Sequence, residues 1–189
     1  MTYFTRTKKT ATSLLILICG MVACGGPQAP QAVATGPAAR ARADLLQMPP
    51  ELAGRNPVEQ GLAYIDVVNE LYPESSNPQV RHFRIKAGAV FSVRGWAFDD
   101  KRNTTPPVWL ELVGKSGADR IFIPAKRTPS KDLAGSFHHP WAGVAGFNVP
   151  GEQANIPPGT YEATVFQADP DLLIKTPFYS VQRITITVE

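Results

Sequence analysis

The stretch Arg81-His82-Phe83-Arg84-Ile85-Lys86 alternates strictly. Phe83 and Ile85 fall on one side of an extended chain, and His82, Arg84 and Lys86 on the other. Side chains of a strand point to opposite faces with a period of two, so this is the signature of a half-buried β-strand. The same reading holds at three further places. Val108, Leu110 and Leu112 oppose Trp109 and Glu111; Tyr161, Ala163 and Val165 oppose Glu162 and Thr164; Ile184, Ile186 and Val188 oppose Arg183, Thr185 and Thr187. One wet and one dry face per strand is the pattern of antiparallel sheets, and two dry faces stacked together make a sandwich.

Working outward, short β-rich runs separated by Pro, Gly, Asn and Asp fill the chain from Tyr64 to its end. The expected strands are Leu62–Val68, Arg81–Ile85, Val90–Phe98, Val108–Val113, Arg120–Pro124, Gly146–Val149, Thr160–Ala168 and Val181–Val188. Pro157-Pro158-Gly159-Thr160-Tyr161 reads as a turn feeding a strand. One helical turn is expected near Ser130–Phe137, with Ser130 as cap and Asp132 in the first turn. The fold class is therefore all-β, a single antiparallel β-sandwich over residues 61–189. About 125 residues suffice for one hydrophobic core without disulfides.

Upstream the composition changes. Residues 24–60 hold Pro27, Pro30, Pro37, Pro49, Pro50 and Pro57, with many Ala and Gln. No aromatic residue occurs among them, so little apolar area offsets the ordering entropy. This segment reads as a flexible tether, with a helical turn or two possible around Leu45, Leu46 and Leu52. Residues 1–23 combine a basic start (Arg6, Lys8, Lys9), an apolar run from Ala11 to Ala23 and a small-residue exit, which together make a secretory signal. The run is too short to span a bilayer, which needs about 20 residues.

Met21-Val22-Ala23-Cys24 resembles the lipobox of bacterial lipoproteins. The resemblance implies cleavage between Ala23 and Cys24, diacylation of the Cys24 thiol and acylation of its amine. Gly25 in place of Asp points to the outer membrane of a Gram-negative envelope, facing the periplasm. Several acyl chains hold a protein stably where one does so only reversibly. Cys19 follows the bulky Ile18 and leaves with the signal. No cysteine follows Cys24, so the mature domain holds no disulfide.

Tyr64-Ile65-Asp66-Val67-Val68-Asn69, Val93-Arg94-Gly95-Trp96-Ala97-Phe98-Asp99, Lys131-Asp132-Leu133-Ala134, Ala145-Gly146-Phe147 and Pro158-Gly159-Thr160-Tyr161 together resemble an immunoglobulin-like module of bacterial envelope proteins. The third of these stretches resembles an Asp-Val-Ala-type turn, with Leu133 as its middle aliphatic residue. The resemblance implies an immunoglobulin-like sandwich and no common catalytic site.

Charge narrows the partners. The chain has 189 residues and a formal charge of +3. Removing Arg6, Lys8 and Lys9 takes the 19 Lys and Arg down by three, level with the 16 Asp and Glu. A near-neutral mature protein without a basic block does not fit a nucleic-acid partner.

Candidate sites follow from residue type. Trp96 falls on the outer face of its strand unless Gly95 makes a bulge that turns it into the core. Trp109 opposes three aliphatic residues, so it is a candidate for partial exposure. Trp96, Trp109 and Tyr179 are the residues expected to stack on a sugar ring or anchor a partner, and Trp141 is expected to plug one end. His138 and His139 point to opposite sides of an extended chain and offer no convergent zinc set. Asp99-Asp100 and Asp169-Pro170-Asp171 read as turns rather than calcium loops. Gly114-Lys115-Ser116-Gly117 reads as a hairpin turn, because the upstream glycine of a phosphate loop is missing. No nucleophile elbow is present. The expectation is a protein without catalytic residues, metal or cofactor beyond a covalent lipid on Cys24. It would reach the membrane through that lipid and present its domain to an envelope protein or polysaccharide. A carbohydrate-binding accessory module and an envelope hydrolase are the alternatives.

Overall fold

The computed structural model describes residues 47–75, 77, 79–117, 119–138, 140–150 and 156–189. The leader, Ala23, Cys24 and the tether up to residue 46 lie outside the described residues, as does His139.

Ten strands follow in order: β1 (Val58–Glu59), β2 (Leu62–Val68), β3 (Val80–Ile85), β4 (Val93–Phe98), β5 (Val108–Gly114), β6 (Arg120–Thr128), β7 (Gly146–Val149), β8 (Gly159–Ala168), β9 (Leu173–Thr176) and β10 (Arg183–Val188). Helix α1 (Lys131–Phe137) and a 3-10 turn (Pro140–Val144) separate β6 from β7. The all-β expectation is borne out. The strands form one hydrogen-bonded sheet in the order β1-β9-β8-β5-β6-β7-β4-β2, with β10 joining β8 to β3. Most pairs are antiparallel, but β1 pairs β9 and β3 pairs β10 in parallel.

The sheet curls at β6. Residues 120–125 of that strand pair with β5, and residues 126–128 pair with β7. The alternating apolar residues of both halves therefore face each other. Phe83, Leu110, Leu112, Ile123, Ile184 and Ile186 from one half share a buried cluster with Ile65, Val93, Phe147 and Val149 from the other. β6 runs past Pro124, where the sequence suggested a stop. Its side away from β5 carries no described strand until Lys126, so the missing proline N–H costs no ladder bond.

Arg127 pins the curl. Its five N–H groups all find acceptors: Nε and Nη2 on the Pro106 carbonyl, Nη1 on the carbonyls of Ala97 and Ala145, and Nη2 also on Gln167 Oε1 at 3.0 Å. Gln167, wholly buried, passes the network to Thr176 Oγ1 at 2.9 Å. Burial pulls the Arg127 pKa down to about 10, which still leaves it cationic at neutral pH.

One alternative in the sequence reading is resolved, and two details differ from it. Trp96 keeps its place in the alternation and points outward with Phe98. The irregularity lies in the partner strand, between Ile65 and Val67 of β2. Gly95 is needed for close approach, since a Cβ there would stand 2.1 Å from the Tyr64 carbonyl oxygen. Ser130 occupies the cap position of α1 but makes no side-chain cap bond, and its backbone N–H instead bonds Gly143 O at 2.7 Å. Residues 47–60, placed in the tether by composition, are held against the sheet. Leu52 is 2% exposed, Arg55 donates to the carbonyls of Asp169 and Pro170, and β1 pairs with β9. Leu52 can dock because Phe122, Phe166 and Leu173 form an apolar cluster for it.

Candidate binding groove on the outer face

The two halves of the curled sheet each have an outer face, built from the residues that alternate away from the core. On the β2–β4 half these are Tyr64, Trp96 and Phe98. Trp96 stacks on Tyr64 at 5.8 Å and on Phe98 at 5.4 Å, with planes tilted by 10° and 17°. Phe137 of α1 meets both Trp96 and Phe98 edge-on, and Trp141 from the 3-10 turn meets Phe98 at 4.8 Å. Tyr179 closes the cluster 5.9 Å from Trp96. Its segment also protects the edge of β2, where Ala63 N–H bonds Pro177 O and Tyr179 N–H bonds Ala63 O. Trp96 is 8% exposed and offers no free ring face, whereas Tyr179 is 48% exposed.

Trp109 lies on the other half of the sheet, packed with Leu52, Phe122 and Phe166. A cavity of about 440 Å³ beside it is lined by Met48, Pro49, Pro50 and Phe122. Of the three ring candidates, the fold brings Trp96 and Tyr179 together and leaves Trp109 apart.

The remaining acidic and histidine candidates have local roles. Asp99 is fully buried and accepts hydrogen bonds from Gln60 Nε2 at 2.6 Å and from the N–H groups of Lys101 and Arg102. Asp169 accepts from Arg102 Nη1 and from the N–H of Asp171, as a turn aspartate does. His138 is exposed in the left-handed C-cap of α1, and His82 meets Thr187 Oγ1 at 3.0 Å. Among the described residues no three His, Cys, Asp or Glu converge on a metal position.

A groove of about 610 Å³ crosses the outer face of β5, β6, β8 and β10. β8 creates it. β5 occupies one edge of β8 along residues 161–167, so β10 and β9 must share the other. β10 pairs there up to Glu162, and β9 takes over from Val165. The two partners fork beside Thr164, and the groove opens along the fork.

Its floor holds Glu111, which the alternation placed on the wet face. It does point outward, yet it is 3% exposed. The tight β5–β6 hairpin sets Val113 opposite Arg120, and the arginine folds over Glu111. Arg120 Nε donates to Glu111 Oε1 at 2.9 Å, and Nη2 donates to the same oxygen. Oε2 receives no hydrogen bond from a described residue. Across β8, Thr164 stands opposite Glu111, and Glu162 stands opposite Thr185 of β10. Arg183 approaches Glu162 at 3.7 Å, and Lys175 approaches Glu59 at 3.6 Å. Sequence reasoning passed over these residues. An acid between Trp109 and Val113, with an arginine just after the next turn, was the available signal.

One further group is perturbed. Asp66, at the β2 irregularity, has its pKa raised by desolvation, opposed by the nearby charges of Arg81 and Arg94. It lines a separate depression with Arg94, Asn148 and the exposed Tyr72.

The chain has no significant match among protein-family models, curated proteins or solved structures.

Proposed function

We propose that this is a non-catalytic, lipid-anchored protein of the cell envelope that holds out an all-β binding or scaffolding module. The observation that carries the reading is the order of its parts. A basic and apolar leader runs into Met21-Val22-Ala23-Cys24, and a domain whose packing begins at Pro49 follows. The immunoglobulin-like resemblance supports the same reading. So do the polar residues beneath the surface: Arg127, Gln167 and Asp99 are spent on holding strands and turns together. Gly25 favours the outer membrane, with the domain facing the periplasm. The spacer is shorter than residues 24–60, because the domain takes in its last dozen residues. It ends near residue 48.

Fractionation of the native host tests this. The wild-type protein is expected to sediment with membranes, to resist about 1 M salt and to come off in detergent, since acyl burial is insensitive to charge screening. Cys24→Ala is expected in the soluble fraction. Wild-type protein released by salt alone contradicts the reading.

Binding of polysaccharide is the second reading. The groove over Glu111 favours it over the ring candidates, because Trp96 is covered by Phe137 and Trp141 is packed against its neighbour Phe98.

A further inference from the structure

The Glu111 groove offers an open acceptor. Glu111 is 3% exposed overall, and what remains open is Oε2, which faces the groove rather than the interior. Glu111 has one oxygen held twice by Arg120 and the other without a donor among the described residues. Arg120 in turn keeps Nη1 without an acceptor among the described residues and remains 47% exposed. The hydroxyls of Thr164 and Thr185 have no hydrogen-bond partner among the described residues, and both line the groove. Acceptor, donor and hydroxyls thus lie side by side on four adjacent strands, β6, β5, β8 and β10, whose spacing is about 4.8 Å.

The charges say what kind of molecule fits. Glu111 sits with Arg120, Glu162 with Arg183, and Glu59 with Lys175; Lys115 at the hairpin rim is the cation outside these pairs. A polyanion or polycation would have to compete with pairs already formed. A neutral molecule rich in hydroxyls displaces none of them. It can donate to Glu111 Oε2, accept from Arg120 Nη1 and exchange bonds with the threonines. The side of Phe166 adds an apolar surface on the groove wall.

We propose that the groove binds a neutral glycan chain, with Glu111 and Arg120 gripping neighbouring hydroxyls of one sugar and Thr164 and Thr185 contacting the next. The proposal rests on the reading of the domain as a binding module and not on the lipid anchor.

The test is calorimetric titration of the full mature chain, solubilised in detergent, with cello-, malto-, manno-, galacto- and chito-hexaose, and with dextran sulfate as the charged control. At least one neutral hexasaccharide is expected to bind, with affinity unchanged between about 50 and 500 mM salt. Glu111→Gln is expected to weaken that binding about tenfold, since it exchanges a charged acceptor for a neutral one. Thr164→Val, at a half-exposed position, is expected to fold as the wild type does and to weaken binding about threefold. Three results would each overturn the proposal: no neutral hexasaccharide binding at about 5 mM, binding that both variants leave unchanged, or binding confined to dextran sulfate and lost at high salt. Fractionation of Cys24→Ala reads the anchor separately, so a failed titration with an intact anchor removes only the glycan.

Discussion

The two outer faces of the curled sheet are built from the same alternation but finished differently. On the β2–β4 half the outward residues are rings, and the chain spends α1, the 3-10 turn and the segment around Tyr179 to cover them. On the β5–β8 half the outward residues next to the covered ring of Trp109 are Glu111, Thr164, Glu162 and Thr185, and the chain leaves them open as a groove. An apolar outer face must be sealed by the protein itself, because exposed ring area is unfavourable in water. A face of hydroxyls and ion pairs carries no such demand and remains available to a ligand. The sealed face should therefore respond to mutation in stability and the open face in binding.

The largest effect is expected where the two halves meet. Arg127→Met leaves the carbonyls of Pro106, Ala97 and Ala145 and the amide of Gln167 short of donors. A loss of about 3–5 kcal/mol in unfolding free energy is expected by denaturant titration. A loss below about 1 kcal/mol would mean that the curl does not depend on this pin.

Next come the paired probes of the two faces. Trp96→Ala empties the centre of the ring cluster and is expected to cost about 3–4 kcal/mol. Thr164→Val on the open face should stay within about 0.5 kcal/mol of wild type. Equal losses at the two sites would erase the distinction between sealed and open.

A smaller effect of opposite sign is expected at the β2 hairpin. Asn69 and Glu70 form its two-residue turn with φ of 50° and 61°, closed by paired bonds between Val68 and Leu71. A left-handed conformation costs a non-glycine residue about 1–2 kcal/mol. Glu70→Gly should therefore gain about 0.5–1 kcal/mol, despite losing the exposed contact with Arg94. Thermal unfolding reads this directly.

The smallest is electrostatic. The folded-state pKa of Asp66 lies above its ordinary 3.8, so the folded protein holds the proton more tightly than the unfolded chain. Stability is lost as pH rises from 3.8 through the folded pKa and is regained on acidification. The site is solvent-exposed, which screens the effect. Asp66→Asn should gain a few tenths of a kcal/mol at pH 7 and nothing at about pH 3. A variant that is less stable at pH 7 would show that the arginines Arg81 and Arg94 outweigh desolvation.

How much of this was legible differs by feature. β2 and β7 have the bounds that alternation and flanking turns suggest, because each strand carries its own hydrophobic pattern. β1 and β9 escaped notice: two and four residues are too few to show a period, and both exist because a neighbour holds them. The parallel match of Val80–Ile85 to Arg183–Val188 joins segments about a hundred residues apart and leaves no local trace. Arg127 reads in sequence as one more strand-end cation, and only the curl makes it central. Trp96, Trp109 and Tyr179 stand out in sequence for their chemistry, yet burial depends on what packs over a ring. In sequence Leu52 groups with Leu45 and Leu46 as a possible helical turn, whereas its docking site comes from β6, β8 and β9.

Where the two faces are displayed follows from the proposed anchor at Cys24. The most direct test is the mass of the N-terminal peptide of the protein isolated from its native membrane. The account predicts a chain that begins at Cys24 and carries a thioether-linked diacylglycerol and an amide-linked acyl chain. A peptide that begins at Met1, or a Cys24 with a free thiol, would contradict it.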